Sequence, residues 1–324
     1  MRFLFLVFMF VFSMSFSINP HELWIHYKKT FVSNDGFVVD PYNNYRVTSE
    51  SQGYTMIISV LIGDKETFYK VWYWTKENLE REDNLFSWVW LNGYVVDKNN
   101  ATDADLLIAY GLLLAYERWK DESLLWEAKK IISVVKNLII PICSQNGKDY
   151  ILLPGRIGFI KNNEISLKVA YYIPFIFKKF YKVFKDTIWN ELYEYTYKLY
   201  RMENLSTDLF YDLFEKKLLR KDFIDSDGLR VLVYSFIDSR EKFFSLRKTF
   251  KDVYSFYKER GYIPDKYYYF SGNGTKYSSP FCFYYFFGKL YYDEELIKKF
   301  EEGVRHDRKN YYCYALLLLT LLHH

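Results

Sequence analysis

The sequence predicts an all-α protein. Apolar residues recur at helical spacing along most of the chain, and no alternating strand pattern of any length stands out. Segments that are apolar nearly all round also alternate with amphipathic ones, as buried and peripheral helices would. That order fits a closed ring of helix hairpins whose inner helices open onto one face. It fits an irregular helical bundle equally well. Hydrophobic residues make up 50% of the chain and aromatics 22%, enough for a large core with rings left over for a cleft. The 7 Pro and 14 Gly form no linker, so residues 18–324 read as one domain. The balance of 44 basic against 40 acidic residues gives no electrostatic footprint for nucleic acid.

At the N-terminus, Arg2 precedes an apolar run from Phe3 to Phe12 and a Ser-rich stretch ending at Ser17. This is the pattern of a secretory signal peptide over residues 1–17, cleaved after Ser17. The run is shorter than the roughly 20 residues of a spanning helix, so no stable membrane insertion is expected after cleavage. A periplasmic or secreted protein follows; an uncleaved anchor or a buried first helix are the alternatives.

Leu23, Trp24, Tyr27 and Phe31 then share a helix face, and Asn34-Asp35-Gly36 marks a turn. Thr48 or Ser49 can N-cap a helix that carries Glu50 in its first turn, runs to Ile62 and closes at Gly63. A helix is expected over Glu66 to Leu79, then a loop carrying Trp88-Val89-Trp90. Asp103 and Asp105 open an apolar helix to Trp119, followed by a more amphipathic helix over Glu122 to Ile139. Another is expected to begin near Ser166 and include Pro174 in a first turn. Helices from Trp189 to Arg201, within Asp222 to Phe236, from Phe243 to Glu259, from Phe281 to Leu290 and from Tyr311 to Leu322 complete the order, with no repeat visible. Trp24, Trp72, Trp74, Trp119, Trp126 and Trp189 read as packing residues. Cys143, Cys282 and Cys313 lack CxxC spacing or a His cluster, so no metal site is indicated. Buried free thiols are the default, with one disulfide of undetermined pairing left open.

Glu50, Asp103 and Asp227 each open an apolar helix. If those helices are inner ones, their mouths converge on one cleft. Paired carboxylates of this kind are what glycoside hydrolysis needs: one donates a proton to the leaving oxygen, and the other activates water or attacks.

Three blocks stand out: Thr48-Ser49-Glu50-Ser51-Gln52-Gly53-Tyr54, then Ala101-Thr102-Asp103-Ala104-Asp105 with Ile108 and Ala109, then Asp227-Gly228-Leu229-Arg230-Val231. They resemble, in order, blocks of glycoside hydrolase family 8. Asp35-Gly36, Leu153-Pro154-Gly155, Gly261-Tyr262-Ile263-Pro264 and Asn310-Tyr311-Tyr312 are similar to further blocks. The resemblance implies an (α/α)6 barrel of six inner and six outer helices. It also implies inverting endo-hydrolysis of a β-1,4-glucan polysaccharide such as cellulose, with no metal or other cofactor.

By position, Glu50 matches the general acid, Asp227 the general base and Asp103 the aspartate that binds and distorts the sugar. Tyr171 matches the tyrosine that holds the attacking water, and Arg230 would orient Asp227. Trp88 and Trp90 fall where one or both stack on sugars, and Gln52 falls in the acid motif as a substrate contact. Ser51 replaces the family glycine, Phe37 the family arginine, and Lys168-Val169-Ala170 the family Asn-Pro-Ser. The single-domain form resembles endoglucanases that accompany cellulose synthesis, which implies a cellulose synthase complex as partner. Chitosan, xylan and mixed-linkage glucan are rival substrates. A non-catalytic glycan-binding protein on the same barrel is the rival class, and the altered block before Tyr171 favours it.

Overall fold

The computed structural model describes residues 18–144 and 147–323. The expected signal peptide at residues 1–17 lies outside the described residues. The helices, in chain order, are α1 (Pro20–Phe31), α2 (Ser49–Ile62), α3 (Lys65–Leu79), α4 (Thr102–Trp119), α5 (Glu122–Val135), α6 (Pro174–Phe184) and α7 (Thr187–Tyr200). They continue as α8 (Arg230–Asp238), a short α9 (Arg240–Phe244), α10 (Lys251–Arg260), α11 (Cys282–Tyr291), α12 (Glu294–His306) and α13 (Tyr311–Leu322).

Among the described residues, six helices form a closed inner ring: α2, α4, α6, α8, α11 and α13 each touch the next, and α13 returns to α2. Helices α1, α3, α5, α7, α10 and α12 alternate with them in the chain and form the outer layer. This is the (α/α)6 barrel, rather than an irregular bundle. The division follows from the residues. Helix α4 is buried from Thr102 through Leu113 on every face, and α13 from Cys313 through Thr320, so each needs neighbours all round. Helix α12 buries only Leu296, Phe300 and Val304, one stripe, and lies outside. Among the described residues, no helix is long and apolar enough to cross a membrane.

The two ends of the barrel are built differently. Leaving an inner helix, the chain turns in two residues: Gly63-Asp64, Lys120-Asp121, Lys185-Asp186 and Tyr292-Asp293. In each turn the first residue takes the left-handed conformation that ends the inner helix, and the aspartate side chain caps the next helix. The same local device thus ends four of the inner helices.

Entering the inner helices, every connection except the short one into α13 is long, and these long connections carry every strand among the described residues, in four small antiparallel sheets. The first joins β1 (Val39–Asp40), β2 (Arg46–Thr48), β3 (Ser87–Leu91) and β4 (Tyr94–Asn100). The second is the hairpin β5 (Ile139–Ser144) and β6 (Gly147–Leu152). The third joins β7 (Ile160–Lys161), β8 (Glu164–Lys168), β9 (Asp208–Asp212) and β10 (Lys217–Arg220), and the fourth β11 (Phe223–Asp225), β12 (Lys266–Tyr268) and β13 (Asn273–Gly274).

These sheets correct several expectations. Trp88-Val89-Trp90 is strand, not loop. Residues around Ser166 form β8, whose alternate residues Ile165 and Leu167 are buried, and the helix starts only at Pro174. Helix α5 stops at Val135, and the segment from Phe243 to Glu259 breaks between α9 and α10 at the 3-10 turn Ser245–Arg247. Trp126, expected to pack, is 61% exposed. Cys282 and Cys313 form a disulfide between neighbouring inner helices, rather than remaining free thiols.

Helices α2 and α4 cross closely because both present glycine. A Cβ on Gly53 would stand 2.7 Å from the Leu107 Cβ, and one on Gly111 3.2 Å from the Met56 Cβ. At an exposed helical site Gly→Ala gains about 1 kcal/mol. Here the clash reverses the sign: Gly53→Ala is expected to lose about 1–3 kcal/mol, read by urea denaturation.

Candidate active site

Strand β2 delivers the chain to the mouth of α2. Thr48 is extended, and its Oγ1 accepts from the Ser51 amide at 3.0 Å. The Ser51 hydroxyl accepts from the Thr48 amide at 3.3 Å and reaches the Val38 carbonyl at 3.1 Å. Ser51 therefore completes a capping box with a shorter side chain than the usual Glu or Gln, and ties the helix start to the strand beside it. Glu50, the second helical residue, is held by these bonds on both sides.

Asp103 occupies the same place on α4. Its side chain is only 2% exposed, and its Oδ1 accepts from the Ala104 amide at 2.9 Å. Asp227 sits in the turn before α8. The Asp225 carboxylate shapes that turn, accepting from the Thr207 hydroxyl at 2.8 Å and from the amides of Asp227 and Gly228. Gly228 lets the turn press on Thr207, since a Cβ there would lie 2.5 Å from Thr207 Oγ1.

The guanidinium of Arg230 joins the three acids. Its Nη1 donates to Glu50 and, at 3.0 Å, to Asp103, while Nη2 lies 3.2 Å from Asp227 Oδ1. The arginine side chain is 2% exposed, Glu50 16% and Asp227 49%. The cluster is thus buried on the Asp103 side and open on the Asp227 side. One buried cation faces three carboxyl groups, so it cannot balance the charge of all of them. Burial, with the charges of Asp103 and Asp227, outweighs Arg230 and pushes Glu50 up to about 7. Asp103 is raised as well, by burial first and then by Asp227.

The structure brings Tyr171 to the same point, its ring centroid 5.9 Å from the Arg230 guanidinium. Burial and the carboxylates keep its phenol protonated. Lys168, which replaces a family asparagine, pairs with Asp208 at 2.9 Å and is near enough to the cluster to feel the charges of Asp227 and Arg230. Trp88 is half-exposed on β3, with the Arg46 guanidinium 5.8 Å from its ring.

Trp90, half-buried on the same strand, packs against Phe37 at 5.6 Å and Trp74 at 5.3 Å. One expectation is corrected. Gln52 is fully buried: its Oε1 accepts from the Val38 amide and its Nε2 donates to the Gly36 carbonyl and Thr75 Oγ1, leaving nothing for a sugar. Asp105, buried beside Asp103, accepts from the Phe86 amide and Asn100.

Three tyrosines went unremarked as site residues. The hydroxyls of Tyr54 and Tyr234 lie 2.5 Å apart behind Arg230. The buried Tyr312 hydroxyl has no hydrogen-bond partner among the described residues, and it feels the charges of Arg230, Asp227 and Glu50. Tyr312 also opens an apolar inner helix, the context that singled out the three acids.

The model of glycosyl hydrolases family 8 matches residues 2–324. The chain belongs to glycosyl hydrolases family 8. Among relatives, a probable endoglucanase of Novacetimonas hansenii is 34% identical over 177 residues, covering 53% of this chain and 51% of its own length. An endoglucanase of Escherichia coli K12 is 25% identical over 263 residues, 75% of this chain and 70% of its own length. The matched part of the family 8 chain spans about half the length of the relatives from Novacetimonas hansenii and Cellulomonas uda. Among solved structures, the endo-1,4-D-glucanase of Vibrio fischeri ES114 superposes with a TM-score of 0.80 at 23% identity, covering 93% of each chain. A cold-adapted family 8 xylanase gives 0.71 at 14% identity, over 95% of this chain and 91% of its own. These likenesses show the family 8 barrel.

Proposed function

We propose that the chain is an inverting endo-β-1,4-glucanase. The observation that carries this is the single guanidinium shared by Glu50, Asp103 and Asp227 at the mouths of three inner helices. Glu50 is the general acid. Its raised carboxyl holds the proton that the glycosidic oxygen needs on leaving. Asp227 is the general base, open to solvent and steadied by Arg230. The two bond different nitrogens of one fork, and inversion needs roughly 6.5–9.5 Å between them to admit a water. Asp103 holds the sugar at the cleavage point, Tyr171 positions the water, and Trp88 offers a ring for stacking. The β-1,4-glucan reading draws on the names of the relatives, and the xylanase neighbour keeps xylan as the main rival.

Inversion is tested by proton NMR during cellopentaose hydrolysis. The α-anomer should appear first; a β-anomer first would exclude the scheme. The pH dependence carries a sign. Glu50 must be protonated to act, so kcat/KM should fall as pH rises through about 7. Because the Asp103 charge helps hold Glu50 up, Asp103→Asn should move that basic limb to lower pH. A limb that stays in place would contradict the assignment.

Export to the periplasm or medium is part of the same proposal. It is supported by the pattern over residues 1–17 and by the Cys282–Cys313 disulfide, a bond that persists in oxidising compartments. Work beside a cellulose synthase complex rests on the family resemblance, and co-purification from envelope fractions would test it.

A further inference from the structure

The inner helices end, opposite the carboxylate cluster, at a cavity of about 450 Å³ lined by Phe236, Arg240, Phe244, Tyr285, Lys289 and Tyr292, with Glu294 at its edge. The length of α8, roughly 13 Å for its nine residues, separates this cavity from Arg230. We propose that it is a second, non-catalytic binding site for a segment of β-glucan chain. The proposal rests on the glucan reading above and names a further site for the same polymer.

Tyr292 forms the platform. It occupies the left-handed cap of α11 and is 72% exposed. The Arg247 guanidinium backs it, 4.6 Å from its ring and 5.1 Å from that of Phe244. Arg247 is itself fixed by its Nε bond to the Leu290 carbonyl at 2.6 Å. The Phe244 ring lies 5.5 Å from Tyr292 at an interplanar angle of 30°. A preset aromatic face turned to water is what the apolar face of a pyranose stacks on.

The Asp293 carboxylate in the lining is held by Tyr254 and Lys258, but two cations there are not so held. The Arg240 guanidinium lies 3.5 Å over Phe236 and Lys289 Nζ 5.3 Å from Tyr285, and neither has a carboxylate partner among the described residues. Their donors, with the exposed Glu294 carboxylate as acceptor, match the rim of equatorial hydroxyls on a β-glucan. A small anion would leave the rings unused, and an apolar peptide would leave two cations unsatisfied. The other turns of this kind carry Gly63, Lys120 and Lys185 in the left-handed position; an aromatic stands there at Tyr292, beside the cavity. A chain held here while the cleft works on another segment would keep the enzyme on an insoluble polymer.

The test is retention on insoluble cellulose by full-length protein in a Glu50→Gln background. Adding Tyr292→Ala and Arg240→Ala should weaken retention about five- to tenfold. With Glu50 intact, the same pair should leave kcat/KM on cellopentaose within about twofold, since neither residue touches the cleft. Retention equal to that of Glu50→Gln alone overturns the proposal. Lys289→Ala is a second variant, read in the same way, should the pair lower the melting temperature. If the intact protein cuts no β-1,4-glucan while the pair still weakens retention, the cleavage reading fails and this site stands.

Discussion

Glu50→Gln is expected to lower kcat on soluble β-1,4-glucan about 10³-fold, with KM changed no more than a few-fold. Glutamine keeps the shape and still accepts from Arg230, so the capped first turn of α2 and the cluster geometry should persist. What it lacks is the proton that burial and two neighbouring carboxylates keep on Glu50. The loss should therefore depend on the leaving group. A dinitrophenyl cello-oligosaccharide needs no protonation to depart, and the variant should recover most of its rate on that substrate. Equal losses on both substrates would mean that Glu50 positions the chain rather than acting as the acid.

Arg230→Met should be the most destabilising single change in the site. The guanidinium is almost wholly buried, and removing it leaves Glu50 and Asp103 facing each other without a counter-charge. Breaking a buried pair in this way costs about 3–5 kcal/mol. The pH dependence follows from linkage. In the wild type, burial already raises the folded-state pKa of both carboxyls. Without the cation they rise further above their unfolded values. A group raised in this way lends stability below its unfolded pKa and loses it as pH rises through its folded pKa. The deficit of the variant should thus be small near pH 4 and grow towards pH 8. Urea denaturation at both pH values measures it, and a deficit of the same size at each would contradict the account.

Much of this site was legible because its acids stand at helix mouths. A carboxylate just ahead of an apolar run is a local feature that Glu50, Asp103 and Asp227 share, and Glu50 has a capping side chain beside it as well. The reach of Arg230 was not legible. Spacing shows its link to Asp227 three residues away, but its bonds to Glu50 and Asp103 span 180 and 127 residues of chain. Gln52 misled because it follows Glu50 in the motif, while two residues along a helix turn the side chain to another face, here towards Val38 and Thr75.

The inner helices were legible from burial on all faces. The sheets were missed because their strands run from two to seven residues, too short for alternation to register against the helical pattern. The pairing of Cys282 with Cys313 required knowing that α11 and α13 are neighbours in the ring, which no local spacing reveals.

The central claim is that this carboxylate cluster cuts β-1,4-glucan internally. The direct measurement is viscosity against reducing-end release on carboxymethylcellulose, with xylan and chitosan in parallel, for wild type and Asp227→Asn. The account predicts an early collapse of viscosity for few new ends on the cellulose derivative, abolished in the variant. No cleavage of any of the three polymers by the folded wild-type protein would contradict it.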